Sequence, residues 1–255
     1  MMLKFTANIS MLFTEVDLVD RFEMAKKAGF DAVEIQFPYS LSAQKIKALL
    51  DENQLNLVLF NIDADDLLLC GEGLASVPEK KAQFRLAVAQ ALEYAQLIKP
   101  EVINVLPGRC YDSTREQEYL SVFKENLAFA TEIFAPLGIK TVFEAINTKD
   151  MPGFIINNGL DMLDILEDLS LCNLFMQYDI YHMTMMGENV LDFISRYGDL
   201  IGHIQFADCP GRGQPGTGEI NFAEVFSAIE MSAYSGWVGA EYKPVGKTIN
   251  SVAWL

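Results

Sequence analysis

At 255 residues and 51% hydrophobic composition, the chain is long enough to bury a sizeable core as one domain. A formal charge of -16 and a pI near 4.5 exclude the clustered Lys and Arg that binding to nucleic acid or an anionic membrane needs, so an anionic substrate must meet local positive charge. No apolar run approaches membrane-spanning length, the N-terminus lacks a signal-peptide pattern, and Cys70, Cys110, Cys172 and Cys209 lie far apart without a Cys-x-x-Cys, so the expectation is a cytoplasmic protein with reduced cysteines.

In chain order, residues 3–8 read as a first strand, 15–28 as a helix with one apolar and one charged side that Gly29 ends, and 32–37 as a second strand. Ser42 opens a helix through Leu49 and Leu50, and 56–61 is a third strand. Residues 63–78, with Gly71 and Gly73, exceed what a tight turn needs and read either as a partial lid or as a plain surface insertion. The Asp63, Asp65, Asp66 cluster there lacks the glycine and glutamate positions of a calcium loop. Residues 79–98 bring back Phe84, Val88, Ala91 or Leu92, and Ala95 at helical spacing. Residues 102–106 are a fourth strand, over whose end Pro107-Gly108-Arg109 turns. Helix 116–134, strand 141–145, helix 161–169, strand 174–178, helix 190–197, strand 201–206, helix 222–231 and strand 237–242 follow. Residues 246–255 leave room for a short closing helix.

Strands alternating with helices over residues 1–255 predict a single (β/α)8 TIM barrel rather than an open sheet. No Gly-x-Gly-x-x-Gly follows the first strand. The glycine-rich 211–218 run lacks the Lys-Ser/Thr ending of a phosphate loop and reads as a site loop.

In such a barrel the site lies at the carboxyl ends of the strands, and side chains two apart on a strand point the same way. The later strands therefore offer Glu144, Asp179, Gln205 and Glu241 to one space. Converging carboxylates raise one another's pKa unless a cation sits among them, and hard oxygen donors favour Mg2+ or Mn2+ over zinc. Asp179 has a plainer reading as the cap of a following helix, with His182 a loop histidine beside it. His203 shares parity with Gln205 and reads either as a partner holding a ligand carboxylate or as a hydrogen-bonded barrel histidine. Glu34 and Gln36 also face inward, Glu34 as a buried, paired structural acid. Lys243 shares parity with Glu241, and Arg109 hangs near any site.

Several stretches together resemble the hydroxypyruvate isomerases, within the xylose isomerase-like group of TIM barrels. They are Asn8-Ile9-Ser10-Met11-Leu12-Phe13, Phe37-Pro38-Tyr39, Phe143-Glu144-Ala145-Ile146-Asn147, Gln177-Tyr178-Asp179-Ile180-Tyr181-His182, Gly202-His203-Ile204-Gln205, Pro215-Gly216-Thr217-Gly218-Glu219-Ile220-Asn221 and Gly236-Trp237-Val238-Gly239-Ala240-Glu241-Tyr242-Lys243-Pro244. The resemblance covers essentially the whole chain. It implies Glu144, Asp179, Gln205 and Glu241 as metal ligands, with Glu144 and Glu241 also the acid and base. It matches His182 and Arg212 to positions that contact substrate in related sugar epimerases, which carry a histidine where this chain has Gln205. The implied reaction interconverts hydroxypyruvate and 2-hydroxy-3-oxopropanoate through an enediol. The substrate carboxylate then needs a cation, Arg212 first, His182 second, and Lys243 or Arg109 after them. Gly108-Arg109-Cys110-Tyr111 replaces the lysine or small residues expected after the fourth strand, which leaves substrate size open. A 2-oxo-tetronate isomerase, a ketose 3-epimerase and a barrel that binds sugar acids without turnover are the alternatives. A multi-zinc nuclease would need a histidine-rich site and a basic groove, and the chain has two histidines. A homo-oligomer is open on general grounds.

Overall fold

A computed structural model describes residues 3–255. Eight parallel strands, β1 (Lys4–Asn8), β2 (Ala32–Ile35), β3 (Asn56–Asn61), β4 (Val102–Val105), β5 (Lys140–Glu144), β6 (Leu174–Asp179), β7 (Ile201–Phe206) and β8 (Trp237–Ala240), pair in sequence order and close through β1 and β8. Apolar runs such as Leu57-Val58-Leu59-Phe60 suit strands buried on both faces. Helices α1 (Leu18–Lys27), α2 (Ala43–Asn53), α3 (Lys81–Ile98), α4 (Glu116–Phe134), α5 (Gly159–Leu169), α6 (Ile180–Met185), α7 (Val190–Tyr197) and α8 (Phe222–Met231) cover the outside. This is the (β/α)8 barrel expected from the strand and helix alternation.

Local chemistry sets the boundaries. Ser42 Oγ accepts from the Lys45 N–H at 3.2 Å and caps α2. Gly29, just past the end of α1, has φ +102°, a left-handed conformation that costs glycine nothing. The short closing helix expected in 246–255 is a single 3-10 turn, Thr248–Asn250, with Gly246 before it at φ +83° and Trp254 folded back edge-on to Phe5 and Phe206. Helix α6 starts directly at the end of β6, as the cap reading of Asp179 requires.

The main core lies between strands and helices, where Phe22, Phe60, Phe84, Phe123, Phe143 and Phe206 are fully or almost fully buried. Inside the barrel Ala32, Val102 and Val142 close the amino-terminal end. They precede by two residues Glu34, Asn104 and Glu144, so the same alternation that makes the lower layer apolar makes the upper one polar. Register levels the polar groups: Glu144 pairs with Gln177, Asp179 with Gln205, and Asn8 with Glu34.

Candidate active site

Glu144, Asp179 and Glu241, all buried, meet at the carboxyl end of the barrel. Glu144 Oε2 accepts from Asn104 Nδ2 at 3.2 Å. Glu241 is held by more donors: Oε1 accepts from Gln36 Nε2 at 2.8 Å and Asn8 Nδ2 at 3.0 Å, and Oε2 from Arg212 Nη2 at 2.5 Å. The two oxygens of Asp179 differ. Its Oδ1 caps α6 by accepting from the Tyr181 N–H at 2.7 Å and the His182 N–H at 3.2 Å, while its buried Oδ2 has no hydrogen-bond partner among the described residues and lies 3.9 Å from Arg212. The helix-cap reading of this residue is therefore correct for Oδ1 and does not account for Oδ2.

Glu144 and Glu241 edge a cavity of about 80 Å³, several times the space one water needs. Its polar wall carries Gln36, Gln177, His182, Gln205 and Arg212 beside the two glutamates. The opposite wall is apolar, built from Phe37, Leu59, Leu106, Ile146 and Met151, with Leu67 and Leu68 of the 63–78 loop above. That loop covers the site, and Lys80 binds Asp65 and Asp66 at 2.8 and 3.2 Å, so its acidic cluster is held by a lysine. Gly108 is required beneath it, since a Cβ there would lie 2.4 Å from the Glu72 carbonyl oxygen.

His182 is oriented by Asn147. Asn147 Oδ1 accepts from the Asp150 and Lys149 N–H groups at 2.8 and 3.1 Å, which turns its Nδ2 to His182 Nδ1 at 2.6 Å. Nδ1 is thus an acceptor, and the ring hydrogen sits on Nε2, 3.8 Å from Asp179 Oδ2. Burial, reinforced by Arg212, pushes the His182 pKa down to about 3, so the ring is neutral. Donor atoms of Glu144, Asp179 and His182 all lie within 4.8 Å of one another. In the tautomer that Asn147 favours, however, the inward nitrogen of His182 is a hydrogen-bond donor and not a cation ligand.

Gln205 lines the cavity but is tied on both sides, donating from Nε2 to Glu34 Oε2 at 2.7 Å and accepting at Oε1 from Gln177 Nε2 at 2.7 Å. His203 Nε2 lies 2.7 Å from Glu34 Oε1, so His203 is hydrogen-bonded inside the barrel and reaches the site only through Glu34. Two of the cations named from the sequence do not reach the cavity. Arg109 is buried with Nη1 on the Tyr111 hydroxyl at 2.7 Å, its backbone held by the Glu72 carbonyl and a bridge to Phe154. Lys243 is exposed; the ladder's last bond runs from the Glu241 N–H to the Phe206 carbonyl at 3.1 Å, beyond which strand parity no longer applies, and the Lys243 N–H instead holds the Arg212 carbonyl at 2.7 Å. Asn8 and Asn104 were missed although they stand at inward strand ends, the signal used for the acids. Asn147 left no such signal.

The donor set fits a divalent cation: three buried acids, one with an oxygen that nothing satisfies. Burial raises all three carboxyl pKa values; for Glu144 the neighbouring Glu241 and Asp179 add to the rise, while Arg212 opposes it for Glu241 and Asp179. A carboxyl whose pKa is raised on folding contributes stability below its unfolded value, and loses it as pH climbs through the folded value. The metal-free Glu144→Gln protein is therefore expected to melt above the metal-free parent at pH 8, by about 2–4 °C for each kcal/mol relieved, with the margin shrinking toward pH 4–5. Equal melting points at pH 8 would show that Glu144 carries no such penalty.

Residues 22–255 match the family model described as a xylose isomerase-like TIM barrel. The chain belongs to the xylose isomerase-like TIM barrel family. Within that family it is 40% identical over 254 residues to the hydroxypyruvate isomerase of Escherichia coli (strain K12), covering 100% of this chain and 98% of the relative. It is 37% identical over 252 residues to the 2-oxo-tetronate isomerase of Cupriavidus necator, covering 99% and 97%. A crystal structure from Brucella melitensis, described as an AP endonuclease, family 2, superposes with a TM-score of 0.95 at 34% identity, covering 99% of this chain and 98% of that one.

Proposed function

We propose that the protein is an isomerase that interconverts hydroxypyruvate and 2-hydroxy-3-oxopropanoate. The observation that carries this is the pair of buried glutamates, Glu144 and Glu241, at one small cavity where Arg212 is the only other charged side chain among the described lining residues, His182 being neutral. The likeness to the E. coli hydroxypyruvate isomerase supports the same reading. Glu144, Asp179, Gln205 and Glu241 would hold Mg2+ or Mn2+ through oxygen. When bound, the cation polarises the substrate carbonyl and hydroxyl oxygens and so eases loss of the carbon-bound proton.

The chain's own groups do the rest. One glutamate takes the proton from the CH2OH carbon of hydroxypyruvate, leaving an enediolate; the hydroxyl proton on that carbon passes to the former carbonyl oxygen, and the other glutamate delivers a proton to the former carbonyl carbon. His182, neutral with hydrogen on Nε2, donates to a substrate oxygen without adding charge. Arg212 meets the substrate carboxylate, which competes with Glu241 for its guanidinium. Leu67 and Leu68 keep water from the enediol. The strongly acidic chain with two histidines argues against nucleic acid as substrate, although the Brucella structure carries an endonuclease name. No helix among the described residues is long and apolar enough to cross a membrane, and a cytoplasmic place belongs to this proposal.

A second reading, 2-oxo-tetronate as substrate, is favoured by the Cupriavidus relative. One added carbon bearing a hydroxyl must fit under the apolar wall, and a difference of that size is worth roughly 10–200-fold. With Mn2+ supplied, kcat/KM is expected to be at least about tenfold higher for hydroxypyruvate than for 2-oxo-tetronate. The reverse ranking would transfer the assignment to the four-carbon acid.

A further inference from the structure

We propose that Glu34 is a positioning residue that holds the Gln205 carboxamide with its oxygen available to the cation site; the inference rests on the metal reading above. An amide side chain has a donor end and an acceptor end of nearly equal shape, and Gln205 alone does not decide which one serves the cavity. Glu34 decides it. Its Oε2 lies 2.7 Å from Gln205 Nε2, and a carboxylate offers only acceptors. The reversed amide would bring two buried oxygens face to face and present an NH2, which cannot ligate a cation.

Glu34 can impose this because it is itself immobilised. It is fully buried, with Oε1 2.7 Å from His203 Nε2 and Oε2 3.4 Å from Asn8 Nδ2. On its other side β8 has no side chain: a Cβ at Gly239 would lie 2.1 Å from Glu34 Oε1. Gln177 Nε2 takes one lone pair of Gln205 Oε1 and leaves the second free. Gln177 thus donates to Gln205 and Gln205 to Glu34, while His203 donates to Glu34 from the other side, so the donors converge on Glu34 and His203 has a purpose beyond filling the barrel.

Mn2+ titration of the full chain by calorimetry tests this. Glu34→Gln should weaken Mn2+ binding by about 10–100-fold. The His203 N–H retains the new amide's oxygen, its NH2 turns to Gln205, and the Gln205 amide reverses. Glu34→Asp keeps the charge but withdraws the oxygens, and should lose affinity by at least about tenfold. Combining Glu34→Gln with Gln205→Glu should restore binding to the parent level or better. The carboxylate at 205 accepts from the new NH2 and still shows oxygen to the cation, and the charge of the pair is unchanged. A role limited to supporting the fold would not be rescued at position 205.

Parent affinity in Glu34→Gln, a loss there that is absent from Glu34→Asp, or a double variant as weak as the single one would overturn the proposal. Should Glu34→Gln not fold, Glu34→Asp and the double variant decide it. Asp179→Asn separates the two claims. If it abolishes binding while Glu34→Gln does not, only the positioning role fails; if the parent takes up no Mn2+, the metal reading falls and this inference with it.

Discussion

Glu144→Gln and Glu241→Gln each lower kcat for hydroxypyruvate by roughly 10²–10⁴-fold, the range that a positioned acid or base contributes. Gln keeps the shape and the hydrogen bonds from Asn104, or from Gln36 and Asn8, so the barrel end stays assembled while the proton-carrying oxygen is lost. The two variants should differ in their secondary effects. Glu241 binds Arg212 at 2.5 Å, so Glu241→Gln also frees that guanidinium and leaves KM for the anionic substrate lower or unchanged. Among the described residues the Glu144 carboxylate is hydrogen-bonded only to Asn104, and its replacement removes charge without releasing a cation. A variant of either residue that keeps kcat within about threefold of the parent would remove that residue from proton transfer.

Arg212→Ala raises KM for hydroxypyruvate by about 10–100-fold, since charge-assisted hydrogen bonds to a buried carboxylate are worth about 1.5–3 kcal/mol. Arg212 stands in the glycine-rich loop with φ +56°, an unusual conformation for a side-chain-bearing residue, and the Lys243 N–H holds its carbonyl. Its guanidinium sits against Glu241 and Asp179, whose charges hold it protonated against the opposing pull of burial. Arg212→Lys keeps the charge but not the fork, and is expected to recover only part of the loss. An unchanged KM in Arg212→Ala would move carboxylate recognition to His182 or to the backbone.

Much of this site is written in the strand periodicity. Glu144, Asp179 and Gln205 lie at or next to the ends of their strands and share an inward parity, and Glu241 directly after β8 is still bonded to the ladder through its N–H on the Phe206 carbonyl. The same reasoning failed for Lys243, because the ladder ends with the Glu241 N–H and the Lys243 N–H turns to the Arg212 carbonyl in the 211–218 loop. It failed for Arg109 because a loop contact decides its direction: the Glu72 carbonyl and the Phe154 bridge turn the guanidinium toward Tyr111. The tautomer of His182 was not legible at all. It depends on Asn147, whose orientation comes from the two N–H groups that follow it in a tight turn. Glu34 was readable as a buried, paired acid, but its partners His203 and Gln205 lie about 170 residues away, on the far side of the closed barrel.

The most direct test is proton NMR of hydroxypyruvate in deuterated water, with metal-stripped protein and then with added Mg2+ or Mn2+ at concentrations that leave the spectra resolved. Metal-dependent exchange of the CH2OH protons, together with appearance of 2-hydroxy-3-oxopropanoate, is the predicted result. Saturating metal and substrate with neither exchange nor product would contradict the isomerase account.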